Sequence, residues 1–163
     1  MFAALFGASR KTYVTGFVTS GLLFASFVSS ALLLNYVLSG NTVHVELMTW
    51  MATGDLYIPF GFVVDQVSVT MMMVVTIVST VVHVYSIGYM DHDKGFNRFF
   101  SYLSAFVFSM MVLVMSDNFA GLFIGWEGVG LCSRLLIGFW YHKESATWAA
   151  NEAFIMNRIA DLG

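Results

Sequence analysis

Residues 119–141 read FAGLFIGWEGVGLCSRLLIGFWY. The stretch is 23 residues long, enough to cross a bilayer core, which takes about 20 residues in a helix. Its only charged side chains are Glu127 and Arg134, and it contains no proline. Glu127 stands eight residues from Phe119 and fourteen from Tyr141, so a helix here places a carboxyl near the membrane midplane. That reading makes the chain a membrane protein and picks out its first functional residue.

The flanking sequence repeats the pattern. Further apolar runs, rich in Leu, Val, Phe and Met, lie at about 13–38, 65–89, 99–116 and 147–163. Over the whole chain of 163 residues, 58% are apolar and 10% charged, with a mean hydropathy of +0.78. This excludes a disordered chain, which needs low hydrophobicity and high charge. One cysteine excludes a disulfide scaffold. So few charges do not cover the surface of a water-soluble domain of this size. The seven basic residues are scattered, so no nucleic-acid partner is expected. Residues 2–8 are too short and lack the basic flank of a signal peptide; they read as the tail of a further helix. The chain is expected to be an N-terminal fragment of a longer protein.

The expected fold class is an all-α polytopic membrane protein. It has about five transmembrane helices plus a partial N-terminal one. Residues 43–64 differ from the rest. Val43, Val45 and Leu47 alternate with polar residues, as do Leu56, Ile58, Phe60, Phe62 and Val64, around Thr53-Gly54-Asp55. Period-two runs about a Gly-Asp turn predict a small β-hairpin outside the bilayer. Asp65 followed by Ser68 predicts a helix N-cap.

Ionisable residues inside spans carry most of the functional information, because each costs about 2.5–3.5 kcal/mol at a helix centre. Glu127 suits a proton relay or an ion site, or else a polar helix–helix contact. Arg134 is two turns on and on the same face, but the rise of about 10.5 Å makes a direct pair with Glu127 doubtful. It either snorkels to the boundary or finds a local partner. Arg158 and Asp161 are neighbours at three-residue spacing, and Asn151 extends their stripe. They either line a wet interior or fix helix packing. His83, late in its span, is a proton shuttle or a hydrogen-bonded packing residue. Gly121, Gly125, Gly128 and Cys132 give the small-residue spacing of close helix packing, and no metal or cofactor motif appears.

Longer strings then become informative. Asp117-Asn118-Phe119, Gly125-Trp126-Glu127-Gly128-Val129-Gly130-Leu131-Cys132-Ser133 and Leu135-Leu136-Ile137-Gly138-Phe139-Trp140-Tyr141 closely resemble one family. So do His83-Val84-Tyr85-Ser86-Ile87-Gly88-Tyr89-Met90, Arg98-Phe99-Phe100-Ser101-Tyr102-Leu103 and Asn157-Arg158-Ile159-Ala160-Asp161. The family is the largest antiporter-like membrane subunit (subunit 5, or chain L) of NADH–quinone oxidoreductase, respiratory complex I.

The resemblance implies a proton-translocating subunit in which Glu127 is the key glutamate, assisted by Arg158 and Asp161. Arg134 and His83 are candidate modulators. It implies that the chain binds no cofactor itself, with NADH, FMN, iron–sulfur clusters and quinone in other subunits. The implied partners are other membrane subunits of complex I, the lipid bilayer and protons. The expected location is the bacterial inner membrane, with the mitochondrial inner membrane as the alternative. Alternative functions are a subunit of a multisubunit sodium/proton antiporter, or a non-functional truncated fragment. The chain departs from the family pattern at Arg134 (usually Tyr), Glu152 (commonly Lys) and Ala160 (usually Gly).

Orientation follows from Arg10, Lys11, Lys94, Arg98 and Lys143, which fall on one side if the spans alternate; the hairpin and Asp117-Asn118 lie on the other. A cysteine placed at Lys94 is therefore expected to label with a membrane-impermeant reagent from the cytoplasmic face only, and one at Thr53 from the opposite face only. Labelling of both from one face would refute the alternation.

Overall fold

The mostly apolar runs leave the backbone no water to bond with inside a bilayer, so each must satisfy its own amides by forming a helix. A computed structural model describes residues 13–54 and 56–161. Among these, α1 (Tyr13–Leu38) is followed by strands β1 (Val43–Thr53) and β2 (Leu56–Val64), then α2 (Gln66–Tyr89), α3 (Phe96–Met115), α4 (Phe119–Ile137) and α5 (Glu144–Asp161). The apolar segment at 2–8, with Arg10 and Lys11, lies outside the described residues.

Helices α1 to α4 are long and apolar enough to cross a membrane. Their outer faces are apolar: Phe17, Leu22 and Phe108 are 66%, 67% and 70% exposed. Such continuous apolar exposure suits lipid and not water. Helix α5 occupies the place of the fifth expected span but is not among the helices apolar enough to cross by composition. It carries Glu144, Glu152, Arg158 and Asp161 within 18 residues.

The helices run up and down. Helix α1 packs along α2, and α3 along α4, with α2 against α3 and α4 against α5. At one end, Met90, Phe96, Phe100 and Phe139 form a buried cluster. The Arg98 guanidinium lies over the Phe139 and Tyr141 rings, 4.9 and 5.6 Å from their centroids. The Tyr13 hydroxyl donates to the Asp91 carboxylate, and Trp140 Nε1 donates to Asp93 Oδ2 at 3.0 Å. Lys94, Arg98 and Lys143 thus share an end.

The hairpin closes the other end. β1 and β2 pair antiparallel from Val43↔Val64 to Thr53↔Leu56, and Gly54 takes φ +57° at the turn, a backbone region open to glycine at little cost. Pro59 is tolerated because a two-stranded sheet has only edge strands. Asn118 Nδ2 donates to Pro59 O at 2.6 Å, and Val64 packs with Val37 and Val69. The hairpin and the α3–α4 turn therefore share the end opposite the basic residues, as the alternation requires.

The α3–α4 contact is set by small residues. A Cβ on Gly125 would lie 2.6 Å from the Leu113 backbone nitrogen, and one on Gly128 would lie 2.6 Å from Ser109 Oγ. The expected glycine stripe is thus the surface on which α4 meets α3.

Asp65 caps α2 as expected. Its Oδ1 accepts from Ser68 N at 2.7 Å, while Ser68 Oγ accepts from Asp65 N at 2.8 Å, a reciprocal capping box. The Ser68 backbone and side-chain hydrogen bonds hold the Asp65 carboxyl below the usual carboxylate range. Because the folded value is depressed, the cap contributes fully above the ordinary carboxylate pKa of about 3.9 and is lost as pH falls through the lower folded value. Asp65→Ala is expected to cost about 1 kcal/mol at neutral pH, read as a lowered thermal midpoint in detergent. The gap from wild type should close in acid, and Asp65→Asn should keep most of the stability.

Candidate functional site

Glu127 sits at the middle of α4, eight residues from Phe119 and ten from Ile137. The helix ends earlier than the apolar run: Gly138 is its C-cap, and the next N–H, of Phe139, tightens to an i→i−3 bond with Leu136 O at 3.2 Å. This leaves Glu127 more central than the sequence suggested. The two faces of α4 divide the work. Gly125 and Gly128 meet α3, and the face bearing Glu127 and Arg134 meets α5.

Helix α5 lies antiparallel on that face, and its residues pair with α4 in order. Arg134 Nη2 donates to Asn151 Oδ1 at 3.0 Å. Gly130 lies beside the Asn157 amide, whose Nδ2 would be 3.7 Å from a Cβ there. Arg158 Nη1 pairs with Glu127 Oε2 and also lies 3.8 Å from Asp161 Oδ2. Trp126 Nε1 donates to Asp161 Oδ1 at 2.8 Å. The stripe Asn151, Phe154, Arg158, Asp161 advances by three, four and three residues, which keeps it on one helix face.

Arg158 is thus a single cation between two carboxylates, and the Glu127, Arg158 and Asp161 side chains are 23%, 33% and 18% exposed. With all three ionised, the group carries a net charge of one negative unit. The Phe154 ring links it to Arg134. The Arg158 and Arg134 guanidinium carbons stand 4.7 and 4.9 Å from the Phe154 centroid, where the ring quadrupole attracts each cation. Arg134 therefore has a local partner, Asn151, and forms no ion pair with Glu127; among the described residues it has no carboxylate within salt-bridge reach.

Sequence reasoning brought Glu127, Arg158, Asp161 and Asn151 forward and missed Trp126 and Phe154. Trp126 had a readable signal, since an indole N–H in an apolar helix needs an acceptor. Phe154 had none, because a phenylalanine between two arginines looks like any apolar filler until the helices are docked.

His83 is not part of this row. It is fully buried in α2, its Nδ1 lies 2.9 Å from Ser79 O, and its ring meets Phe100 edge-on at 5.8 Å. Among the described residues no three His, Cys, Asp or Glu side chains come together in a metal-binding group. A cleft of about 380 Å³ opens at the basic end, lined among others by Arg98, Tyr102, Arg134, Phe139 and Asn151, and so reaches the last polar pair of the row.

Comparison with known proteins places the chain within one family. A family model described as the N-terminus of NADH-ubiquinone oxidoreductase (complex I) chain 5 matches residues 50–100. A second, described as the transmembrane region of NADH:quinone oxidoreductase and Mrp antiporters, matches residues 116–163 and so contains the whole polar row. NADH-quinone oxidoreductase subunit L of Campylobacter jejuni is 56% identical over 100% of this chain and 26% of its own length. The subunit L of Rickettsia conorii is 50% identical over 93% of this chain and 22% of its own. That of Mycobacterium tuberculosis is 42% identical over 98% of this chain and 26% of its own. The chain thus spans about a quarter of the length of the curated relatives it matches.

The geometry predicts that Glu127 and Arg158 are energetically coupled. A double-mutant cycle with Glu127→Leu and Arg158→Leu, read by unfolding in detergent, is expected to give a coupling of about 0.5–3 kcal/mol. Strict additivity would mean that the pair does not form.

Proposed function

The chain belongs to the family of complex I chain 5 membrane subunits, and on that premise we propose that it forms part of a proton-translocating NADH–quinone oxidoreductase. In this reading it is a membrane subunit that holds no redox group. NADH, FMN, the iron–sulfur clusters and quinone belong to partner subunits, whose electron transfer drives charge movement in this one. Its setting is the bacterial inner membrane, in keeping with the bacterial relatives.

The observation that carries the reading is the ion pair of Glu127 with Arg158 at the centre of an apolar helix. A carboxylate there is stabilised by its cation. If the cation moves, the carboxylate must take a proton or bear the cost of an uncompensated charge. Asp161, 3.8 Å from the same guanidinium nitrogen and oriented by the Trp126 N–H, is the competing partner. When Glu127 is ionised, Arg158 serves both carboxylates and the group carries one negative charge. When the Glu127 carboxylate takes up a proton, Arg158 is left to Asp161 and the group is neutral. Proton uptake and release at one atom thus alter the charge felt along the row, which continues through Phe154 to Arg134 and the cleft at the basic end.

The second match names Mrp antiporters beside NADH:quinone oxidoreductase, so an antiporter subunit is the competing reading. The match of residues 50–100 to the complex I chain 5 N-terminus favours the first.

Glu127→Gln, carried in the assembled complex in sealed vesicles, is expected to reduce protons moved per NADH oxidised by more than half while the complex still assembles. Pumping that keeps its normal ratio to NADH oxidation would overturn the role of Glu127.

A further inference from the structure

A second set of polar atoms lies away from the Glu127 row. Ser20 Oγ, His83 Nε2, Ser101 Oγ and Ser104 Oγ are buried and have no hydrogen-bond partner among the described residues. They come from α1, α2 and α3, and helical turns counted from shared contacts put them at one level. A Cβ on Gly16 would lie 3.0, 3.1 and 3.5 Å from the Ile87, Phe96 and Phe100 side chains, which puts Gly16 opposite those residues. One helical turn onward from Gly16 is Ser20, and one turn back from Ile87 on the antiparallel α2 is His83. One turn onward from Phe100 is Ser104, with Ser101 adjoining, and the Phe100 ring itself touches His83.

The serines could have satisfied themselves locally. On the same helices Ser30, Thr76, Thr80 and Ser109 each donate to the carbonyl four residues earlier, at 3.0, 2.7, 2.7 and 3.0 Å. Ser20, Ser101 and Ser104 do not, and their buried hydroxyls are left without a partner among the described residues. The imidazole adds a directional constraint. With Nδ1 donating to Ser79 O, Nε2 is an acceptor, and only a donor can satisfy it. Buried polar groups without partners are rare, and a water bonded to two to four of them is the usual remedy.

We propose that His83, Ser20, Ser101 and Ser104 form a water-binding pocket inside the α1–α2–α3 bundle. At least one bound water donates to His83 Nε2 and bonds to one or more of the serine hydroxyls. Water at Nε2 gives the imidazole a proton-exchange partner in the membrane, independent of Glu127. His83 is then a hydrated, exchangeable group and not a dry packing residue.

A map of the assembled complex at a resolution that shows ordered water tests this directly. Density is expected within hydrogen-bond distance of His83 Nε2 and of at least one of the Ser20, Ser101 and Ser104 oxygens. A protein group bonded to Nε2, or no density there, would overturn the proposal. In a Ser101→Ala/Ser104→Ala variant the same density should weaken or vanish, and its full retention would overturn the role of those serines. Water-edited solid-state NMR supplies an independent reading. Transfer from water to the His83 ring is expected in wild type, and its absence would refute hydration.

Discussion

A carboxylate in the middle of an apolar helix has to find its counter-charge on another helix, and that requirement organises this molecule. Glu127 is met by Arg158 of α5, and the contact fixes how α5 lies on α4. Once Arg158 is opposite Glu127, antiparallel geometry sets Asp161 against Trp126 and Asn151 against Arg134. It also accounts for the composition of α5, which is less apolar than the other helices because one of its faces supplies the partners. Glycines on the other side of α4 let α3 approach closely, so that face can be dry while the α5 face is polar.

The same economy governs the ends of the helices. Asp65 and Ser68 exchange bonds at the start of α2, and Asn118 Oδ1 accepts from Gly121 N at 2.8 Å at the start of α4. Asn118 also ties the α3–α4 turn to the hairpin. The opposite end is held by aromatic rings around Phe139, with Arg98 over them. Polar groups therefore gather at two ends and in two internal places, the α4–α5 row and the His83 level.

Features set by neighbours in sequence were legible from the sequence. The hairpin followed from alternation at 43–64, the cap from Asp65 and Ser68, the packing stripe from Gly125 and Gly128, and the midplane carboxyl from its distance to both ends of its run. What depends on docking was not. The rise of about 10.5 Å along α4 spoke against Arg134 as the partner of Glu127, but spacing alone named no other. Only the antiparallel seating of α5 gives Glu127 to Arg158 and Arg134 to Asn151. Trp126 and Phe154 joined the site for the same reason. Contacts between helices are set by packing, which no local periodicity encodes.

The central claim is that the Glu127 carboxyl changes its protonation state as the complex works, with Arg158 and Asp161 taking up the charge. Infrared difference spectroscopy of the assembled complex during turnover reads this at the group itself. The account predicts a protonated-carboxyl stretch that appears or disappears with turnover, shifts in heavy water and is missing in Glu127→Gln. A turnover spectrum with no carboxyl change, or one that Glu127→Gln leaves untouched, would contradict it.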